Sequence, residues 1–377
     1  MMTRRSPGSP ASGVAAWLAL AGLCLTVPAD ARHRIRYPDL PPDTALSWHP
    51  KVYPARPRIA YLKLPRDERI APDDIALDDD SDSTPLSPAE AARLEAQFAR
   101  TELGQTYTPS PAIWRIGDRD STIYMFGTVH ILPPGFQWRS AKLDWIVGHA
   151  RALLVESVDD GAGVEDLMNG SRAGDPALPP LLSRVSPDHR AKLQRFMDGL
   201  PPDANKVLNG LPTWIAAVAI SFVRDYRAGD TPGQGADDWL EARFRADGKP
   251  VVPIEDGGKV LAKVSAIPDA EQRRMLDLAL DAPDRGIAEL RAPLHAWARG
   301  QVGPGSAMTV DLPGTSGSSA LTTPLLTDRN RAWADALAKR LRTPGITLFA
   351  AGAGHFIGPG SVLELLRARG IKVTRVE

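Results

Sequence analysis

Apolar and polar positions alternate along residues 111–377 in blocks that predict strands and helices in turn. Short apolar runs predict strands, at residues 112–115, 121–126, 152–155, 251–254, 346–351 and 372–376. Longer segments predict helices, at residues 141–150, 186–198, 212–226, 237–246, 270–280, 287–297, 326–340 and 361–369. Pro293 predicts an interruption of one of these helices. This alternation favours an α/β fold with a mainly parallel central sheet flanked by helices.

The first 31 residues have the pattern of an export signal. Arg4 and Arg5 supply a positive start, and residues 13–27 form an apolar stretch that is short for a membrane span. The small residues at 29–31 predict cleavage directly after them, so residues 1–31 are interpreted as a signal peptide. The predicted location is periplasmic or secreted, and an uncleaved N-terminal anchor is the alternative. No later stretch is long and apolar enough to span a bilayer.

Residues 32–110 differ in composition from the rest of the chain. Residues 37–57 are rich in proline, and residues 73–84 are acidic without aromatic side chains. Such a composition buries too little apolar area to offset the entropy of ordering. We predict a largely flexible extension with one helix that begins after Ser87, followed by a compact domain over residues 111–377.

Charge and cysteine content exclude several classes of protein. The chain has 45 basic and 45 acidic residues and a net charge near zero, so no general attraction to nucleic acid is implied. The single cysteine, Cys24, lies within the predicted signal peptide, so the mature protein has no disulfide and no thiolate nucleophile. The sequence also lacks a Gly-x-Ser-x-Gly elbow, a Walker loop, a Rossmann glycine fingerprint and His-Glu-x-x-His.

Two segments share one motif, Gly-x-x-His followed by two apolar residues, one further residue and then Pro-Gly. They are Tyr124-Met-Phe-Gly-Thr-Val-His130-Ile-Leu-Pro-Pro-Gly135 and Phe349-Ala-Ala-Gly-Ala-Gly-His355-Phe-Ile-Gly-Pro-Gly360. Each follows a predicted strand, so the pair predicts two matching strand ends at the sheet edge. Ligands of open α/β sheets bind beyond the carboxyl ends of parallel strands. Neutral imidazole is a common metal ligand and a general base, and a loop residue bonded to backbone is the alternative for each histidine.

Two carboxylates follow short apolar strands in the same way. Glu156 follows residues 152–155, and Glu255 follows residues 251–254. If these strands are parallel to the histidine strands, both acids meet the imidazoles at one edge. Two histidines and two glutamates then suit a divalent ion such as Mn²⁺, Co²⁺ or Zn²⁺, with one glutamate as an alternative general base. An edge acid that pairs with arginine or caps a helix is the other interpretation.

Two helix starts carry further candidates. Arg329 lies in Asp328-Arg-Asn330 and is interpreted as a clamp for a carboxylate or an oxyanion, with a surface ion pair as the alternative. Asp237 follows Gly235-Ala and is interpreted as a helix N-cap, with a role in the site as the alternative. Residues 303–323 are rich in Gly, Ser and Thr and are interpreted as a mobile loop near the site. Three tryptophans at helical positions are assigned to the core, namely Trp214, Trp297 and Trp333.

An ordered set of motifs resembles the TraB/GumN family over about residues 111–376. The set comprises Pro111-Ala-Ile-Trp-Arg, Phe126-Gly-Thr-Val-His, Leu154-Val-Glu, Pro212-Thr-Trp, Gly235-Ala-Asp, Gly248-Lys-Pro-Val through Glu255, Asp328-Arg-Asn with Trp333, and Gly352-Ala-Gly-His with Gly370-Ile-Lys-Val. The family is similar to the Tiki metalloproteases and related to erythromycin esterase and ChaN-like proteins. The resemblance implies a shared site of two Gly-x-x-His histidines and two glutamates, which fall on His130, His355, Glu156 and Glu255. Glu255 is followed by Asp256-Gly-Gly-Lys259 without the Gln that family members often have.

The sequence therefore predicts an exported, peptidase-like hydrolase that depends on a divalent metal. His130 and His355 bind the ion with help from Glu156 or Glu255, the other glutamate activates water, and Arg329 steadies the oxyanion or a substrate carboxylate. A haem- or metal-binding protein, or an envelope or exopolysaccharide accessory protein on the same scaffold, is the alternative. The partner is a peptide or small-molecule substrate of undetermined identity, and neither nucleic acid nor a membrane span after signal cleavage is expected.

Overall fold

The computed structural model describes residues 87–157, 178–227, 234–310 and 326–377. The predicted signal peptide, most of the predicted extension and residues 311–323 of the predicted loop lie outside this part of the chain. Residues 107–377 belong to one compact unit, and residues 87–106 belong to another. The described helices contain none that is long and apolar enough to cross a membrane.

In the smaller unit, helix α1 spans Pro88–Thr101. The Ser87 hydroxyl accepts a hydrogen bond from the Glu90 N–H at 3.3 Å, and the Glu90 carboxylate accepts one from the Ser87 N–H at 2.9 Å. This reciprocal capping box fixes the start of the helix, as the sequence predicts.

Six strands form one sheet in the larger unit. They are β1 Ile113–Gly117, β2 Ser121–Thr128, β3 Ala152–Val155, β4 Val251–Pro253, β5 Gly345–Gly352 and β6 Thr374–Arg375. Their order is β4-β3-β5-β2-β1-β6. Strands β4, β3, β5 and β2 are parallel, whereas β1 is antiparallel to both β2 and β6. The predicted α/β class with a mainly parallel sheet is confirmed.

Helices connect and flank these strands. They are α2 Ala141–His149, α3 Arg190–Asp198, α4 Pro202–Gly210, α5 Thr213–Arg227, α6 Ala236–Ala246, α7 Gly257–Ser265, α8 Asp269–Asp281, α9 Ile287–Ala298, α10 Ala307–Val310, α11 Asp328–Arg340 and α12 Val362–Ala368. Short 3₁₀ turns cover Leu181–Ser183, Pro187–His189 and Ala353–Phe356.

Several predictions for individual helices are wrong. Helix α9 continues through Pro293 to Ala298, so the proline does not interrupt it. The sequence analysis does not predict helices α4 and α7, although both are amphipathic segments of nine residues. Helix α10 lies inside residues 303–323, which the composition predicts as a loop.

One core packs helices α11 and α12 against the sheet. It includes Trp333 and Leu337 from α11, Leu363 and Leu366 from α12, and Phe349 from β5. All five side chains are almost completely buried. Helix α11 precedes β5 in the chain and helix α12 follows it, so this core holds both helices against that strand.

A second core is formed by helices α3, α4, α5 and α8. Each helix contributes a buried side chain to this core, namely Leu193, Leu208, Ile220 and Leu276.

The predicted core positions of the three tryptophans are confirmed, because Trp214, Trp297 and Trp333 are 6%, 2% and 1% exposed.

Candidate functional site

Four side chains named by the sequence meet at the carboxyl end of the parallel strands. His130 follows β2, Glu156 follows β3, Glu255 follows β4, and His355 lies in the 3₁₀ turn after β5. The ladder between β3 and β4 continues to the acids, since the Glu255 N–H donates to the Glu156 carbonyl at 3.1 Å. Parallel strands end on the same side of a sheet, which is why residues far apart in sequence gather here.

Gly352, the last residue of β5, lies where three of these side chains converge. A Cβ atom added to Gly352 would lie 3.2 Å from Glu156 Oε1, 3.8 Å from His130 Nε2 and 3.8 Å from His355 Cδ2. The Gly352 N–H also donates to Glu156 Oε1 at 2.6 Å. His355 Nε2 is 3.9 Å from the same oxygen. A side chain at position 352 would therefore fill the space between the two imidazoles and Glu156.

The ring of His130 is open to solvent and is held by a carboxylate from helix α6. Its side chain is 62% exposed, and its Nδ1 lies 2.8 Å from Asp237 Oδ2. Desolvation by the surrounding protein lowers the pKa of His130, but the hydrogen bond to Asp237 and the charges of Asp237, Glu156 and Asp238 outweigh it and raise the pKa to about 9. In the absence of a bound cation, His130 is therefore protonated at neutral pH.

Asp237 has a different role from the helix cap that the sequence predicts. Helix α6 begins at Ala236, so Asp237 is already its second residue, and Gly235 occupies the cap position. Asp238 accepts a hydrogen bond from the Gly235 N–H at 3.2 Å. The cap interpretation of Asp237 is wrong because the carboxylate contacts the His130 ring, as the alternative interpretation has it.

The ring of His355 is buried and is held by an amide from helix α11. Its Nδ1 lies 2.6 Å from Asn330 Oδ1, and Asn330 Nδ2 donates to the Gly360 carbonyl at 2.9 Å. The Trp333 ring lies against it, with centroids 4.2 Å apart. Desolvation lowers the pKa of His355 and, with the charges of Arg329 and His130, outweighs the opposing charge of Glu156, so the pKa is about 4.

Arg329 bridges the two glutamates. Its Nη2 contacts both Glu156 Oε2 and Glu255 Oε1, and its Nε donates to Glu255 Oε1 at 2.8 Å. The second oxygen of Glu255 accepts from Trp333 Nε1 at 3.0 Å. Burial raises the pKa of Glu156, but the charges of Arg329 and the two histidines outweigh burial and lower it to about 2. Both glutamates thus lie against one partly buried cation, and Glu156 is ionised at neutral pH.

The sequence brought out both histidines, both glutamates and Arg329, but it did not show how Asn330 acts. Asn330 is 4% exposed, lies next to Arg329 and orients His355. The only available signal was its position in Asp328-Arg-Asn330 at a helix start. Helix periodicity alone does not indicate that consecutive residues of one turn contact different members of a site.

The donor set suits a divalent cation in its chemistry. Both histidines have Nδ1 bound to a second side chain, which is the usual arrangement of histidines that ligate metals through Nε2. Glu156 supplies an oxygen beside them, whereas both oxygens of Glu255 are engaged by Arg329 and Trp333. As the described side chains are placed, no three His, Cys, Asp or Glu groups are close enough to enclose an ion. Roles for Glu156 and Glu255 as ligand or base remain predictions.

These features define an α/β protein whose parallel strand ends carry a paired-histidine site with two arginine-bound glutamates. The profile of the TraB/PrgY/gumN family matches residues 112–375, and the chain belongs to this family. The family assignment made from the sequence motifs is thereby confirmed.

Two relatives are similar to the chain over most of their own length. A protein of Shigella flexneri described as "Uncharacterized protein YbaP" is 26% identical over 269 residues, which cover 70% of this chain and 94% of the relative. The protein of the same description from Escherichia coli (strain K12) is 27% identical over 269 residues, with the same coverage. No solved structure matches the chain significantly.

Proposed function

We propose that this protein is a metal-dependent hydrolase with a peptidase-like activity. The observation that carries the proposal is the convergence of His130 Nε2, His355 and Glu156 Oε1 around Gly352. His130, His355 and Glu156 would hold the ion, and a divalent metal at such a site supplies Lewis-acid activation of water and of a substrate carbonyl. Mn²⁺, Co²⁺ and Zn²⁺ all suit histidine and carboxylate donors.

The protein's own residues give this site a defined distribution of charge. Arg329 keeps Glu156 ionised and directs one of its oxygens to the Gly352 N–H. Glu255 and Trp333 hold Arg329 in place, and the Arg329 guanidinium carbon lies 4.7 Å from the Trp333 ring centroid. On this basis we assign Glu255 to the support of Arg329, and Arg329 to the stabilisation of negative charge that develops on the substrate.

A peptide substrate is proposed from the resemblance to the Tiki metalloproteases. Export is proposed from residues 1–31, whose positive start, apolar stretch and small residues form a signal-peptide pattern. Amino-terminal sequencing of the protein secreted by its host or by a Gram-negative expression strain tests export. A mature chain that begins at Arg32 is expected, and a cytoplasmic chain that retains residues 1–31 would contradict this part of the proposal.

The test of the hydrolase proposal joins metal content to turnover. The purified protein is analysed for bound metal, then incubated with Mn²⁺, Co²⁺ or Zn²⁺ and assayed on a library of fluorogenic peptides. His130→Ala and His355→Ala are compared with the control variant His149→Ala. His149 lies on α2, where its ring stacks on that of Trp145. We expect near-stoichiometric metal and hydrolysis in the parent and in His149→Ala, and loss of both in the two site variants.

Two results would overturn the proposal. Hydrolysis that is equal in the parent and in His130→Ala would show that the site does not carry the activity. Tight metal binding at His130 and His355 without turnover of any peptide would indicate capture of a ligand in place of catalysis.

A further inference from the structure

The start of helix α6 is built onto the backbone of the His130 segment. The Ala236 N–H donates to the Val129 carbonyl at 2.9 Å. A Cβ atom added to Gly235 would lie 2.2 Å from the His130 carbonyl oxygen, so only glycine allows this approach. The helix start and the His130 segment are therefore in fixed contact through main-chain atoms, whatever side chain stands at position 237.

The carboxylate of Asp237 reaches the His130 ring from this fixed base. An ionised carboxylate only accepts hydrogen bonds, so the Nδ1 atom that lies 2.8 Å from Oδ2 is the donor. The Nε2 atom is then the ring nitrogen that faces Gly352 and Glu156. The other oxygen, Oδ1, is buried and has no hydrogen-bond partner among the described residues.

The unpartnered oxygen bears on the purpose of this carboxylate. A buried acceptor without a partner costs free energy, so the Oδ1 atom of Asp237 brings no stability and does not account for a carboxylate at this position. The cap of α6 does not require it either, because Asp238 binds the Gly235 N–H. The contact that accounts for the position of Asp237 is the one with the His130 ring.

We infer that Asp237 is a positioning residue, which fixes His130 with the proton on Nδ1 and presents Nε2 as a donor toward a divalent cation. The inference rests on the proposed function for the cation, but the orientation of the ring is a property of the metal-free protein. A carboxylate behind a histidine ligand both orients the ring and increases its basicity. Asn330 performs the orienting part for His355 without the charge.

The first experiment measures Zn²⁺ affinity by competition with a chromogenic chelator. Asp237→Asn keeps the size of the side chain and removes its charge, and Asp237→Ala removes the contact altogether. Asp247→Asn is the matched control, because it removes a carboxylate from the far end of α6, where Asp247 pairs with Arg243. Losses of about 10–100-fold in affinity are expected for the Asp237 variants, with the control close to the parent.

The second experiment does not depend on metal. The ¹⁵N shifts of the His130 ring, recorded in metal-free protein above its pKa of about 9, report which nitrogen carries the proton. We expect Nδ1–H in the parent and in Asp247→Asn, and a mixture of tautomers in Asp237→Ala. Circular dichroism melting curves identify any variant that has lost its fold. If Asp237→Ala is unfolded, the isosteric variant Asp237→Asn is used in its place.

The two readouts separate the two proposals. A parent that binds no metal would overturn the hydrolase proposal, while the tautomer of His130 would still decide the role of Asp237. Unchanged affinity and an unchanged tautomer in Asp237→Ala would overturn the inference itself.

Discussion

The two Gly-x-x-His segments share a motif but place their histidines in unlike surroundings. His130 is 62% exposed and contacts the carboxylate of Asp237, whereas the side chain of His355 is 6% exposed and contacts the amide of Asn330. The pKa of His130 is raised to about 9, and that of His355 is lowered to about 4. At neutral pH the metal-free site therefore holds one charged and one neutral imidazole.

The difference shows that a repeated motif does not by itself fix the surroundings of its histidine. Both histidines follow paired parallel strands, but Gly352 of the second motif is paired with Thr128, one residue past the equivalent Gly127, and of the two histidines only His355 lies in a 3₁₀ turn. Their partners come from helices α6 and α11, which have no sequence relation to the motif. Because burial lowers the pKa of His355 and the carboxylate of Asp237 raises that of His130, the two halves of the site are suited to different tasks.

The largest loss of stability is expected from a substitution in the buried half of the site, around His355. Trp333 is 1% exposed and packs against His355, Phe349 and Arg329. Trp333→Ala is expected to lower the free energy of unfolding by about 3–5 kcal/mol, since it leaves a large cavity. Trp239→Ala is the matched change on α6, where the ring is partly exposed, and a smaller loss is expected. Urea unfolding followed by fluorescence measures both.

Equal losses in these two variants would contradict the comparison. They would show that the half of the site around His130 depends on packing as much as the half around His355.

The next prediction concerns the contribution of Glu156 to stability. Glu156 lies between the two halves of the site, beside both histidines. Its folded pKa of about 2 lies below the ordinary value of 4.5, so its ionised form stabilises the fold. That contribution is fully present above pH 4.5 and is lost as the pH falls toward 2, and it amounts to roughly 3 kcal/mol. Glu156→Gln should therefore be less stable than the parent at pH 7, and the difference should shrink below pH 4.5.

Chemical unfolding of metal-free protein at a series of pH values tests this. Asp144→Asn is the control, because Asp144 pairs with Arg139 at the surface and such pairs contribute little. A difference between parent and Glu156→Gln that stays constant from pH 7 to 3 would refute the proposed linkage.

The sequence predicted the frame of the site well, for a physical reason. Glu156, Glu255 and the two histidines follow short strands, and parallel strands end at one edge. Strand periodicity and order along the chain are enough to bring such residues together. The predicted segments for β2, β3 and β5 accordingly lie within or on the observed strands.

The sequence predicted the partners of these residues poorly. Asp237 resembles a helix cap, and the sequence leaves Arg329 between a clamp for a substrate and a surface ion pair, until tertiary contacts are known. Each contact joins a side chain to one more than 70 positions away, as in Arg329 with Glu255 and His130 with Asp237. Local pattern carries no information on such pairs, so the charge state of the site could not be predicted.

The smallest expected change in stability comes from substitution of Gly127 or Gly352, the glycines that begin the two motifs. A Cβ added to Gly127 would lie 2.9 Å from the Ala353 Cα atom, a backbone contact that has to shift. A Cβ added to Gly352 would lie 3.2 Å from Glu156 Oε1, near the end of a side chain. Gly127→Ala is therefore expected to cost about 1–3 kcal/mol of stability, and Gly352→Ala less.

Metal affinity should show the reverse order. The methyl group of Gly352→Ala would stand between Glu156 and the two imidazoles, whereas Gly127 faces Ala353 and Phe356. Urea unfolding and Zn²⁺ competition on the same two variants measure both quantities. If Gly352→Ala binds Zn²⁺ as tightly as the parent does, the cation does not lie in the space between the two imidazoles. The proposed set of ligands, His130, His355 and Glu156, would then be wrong.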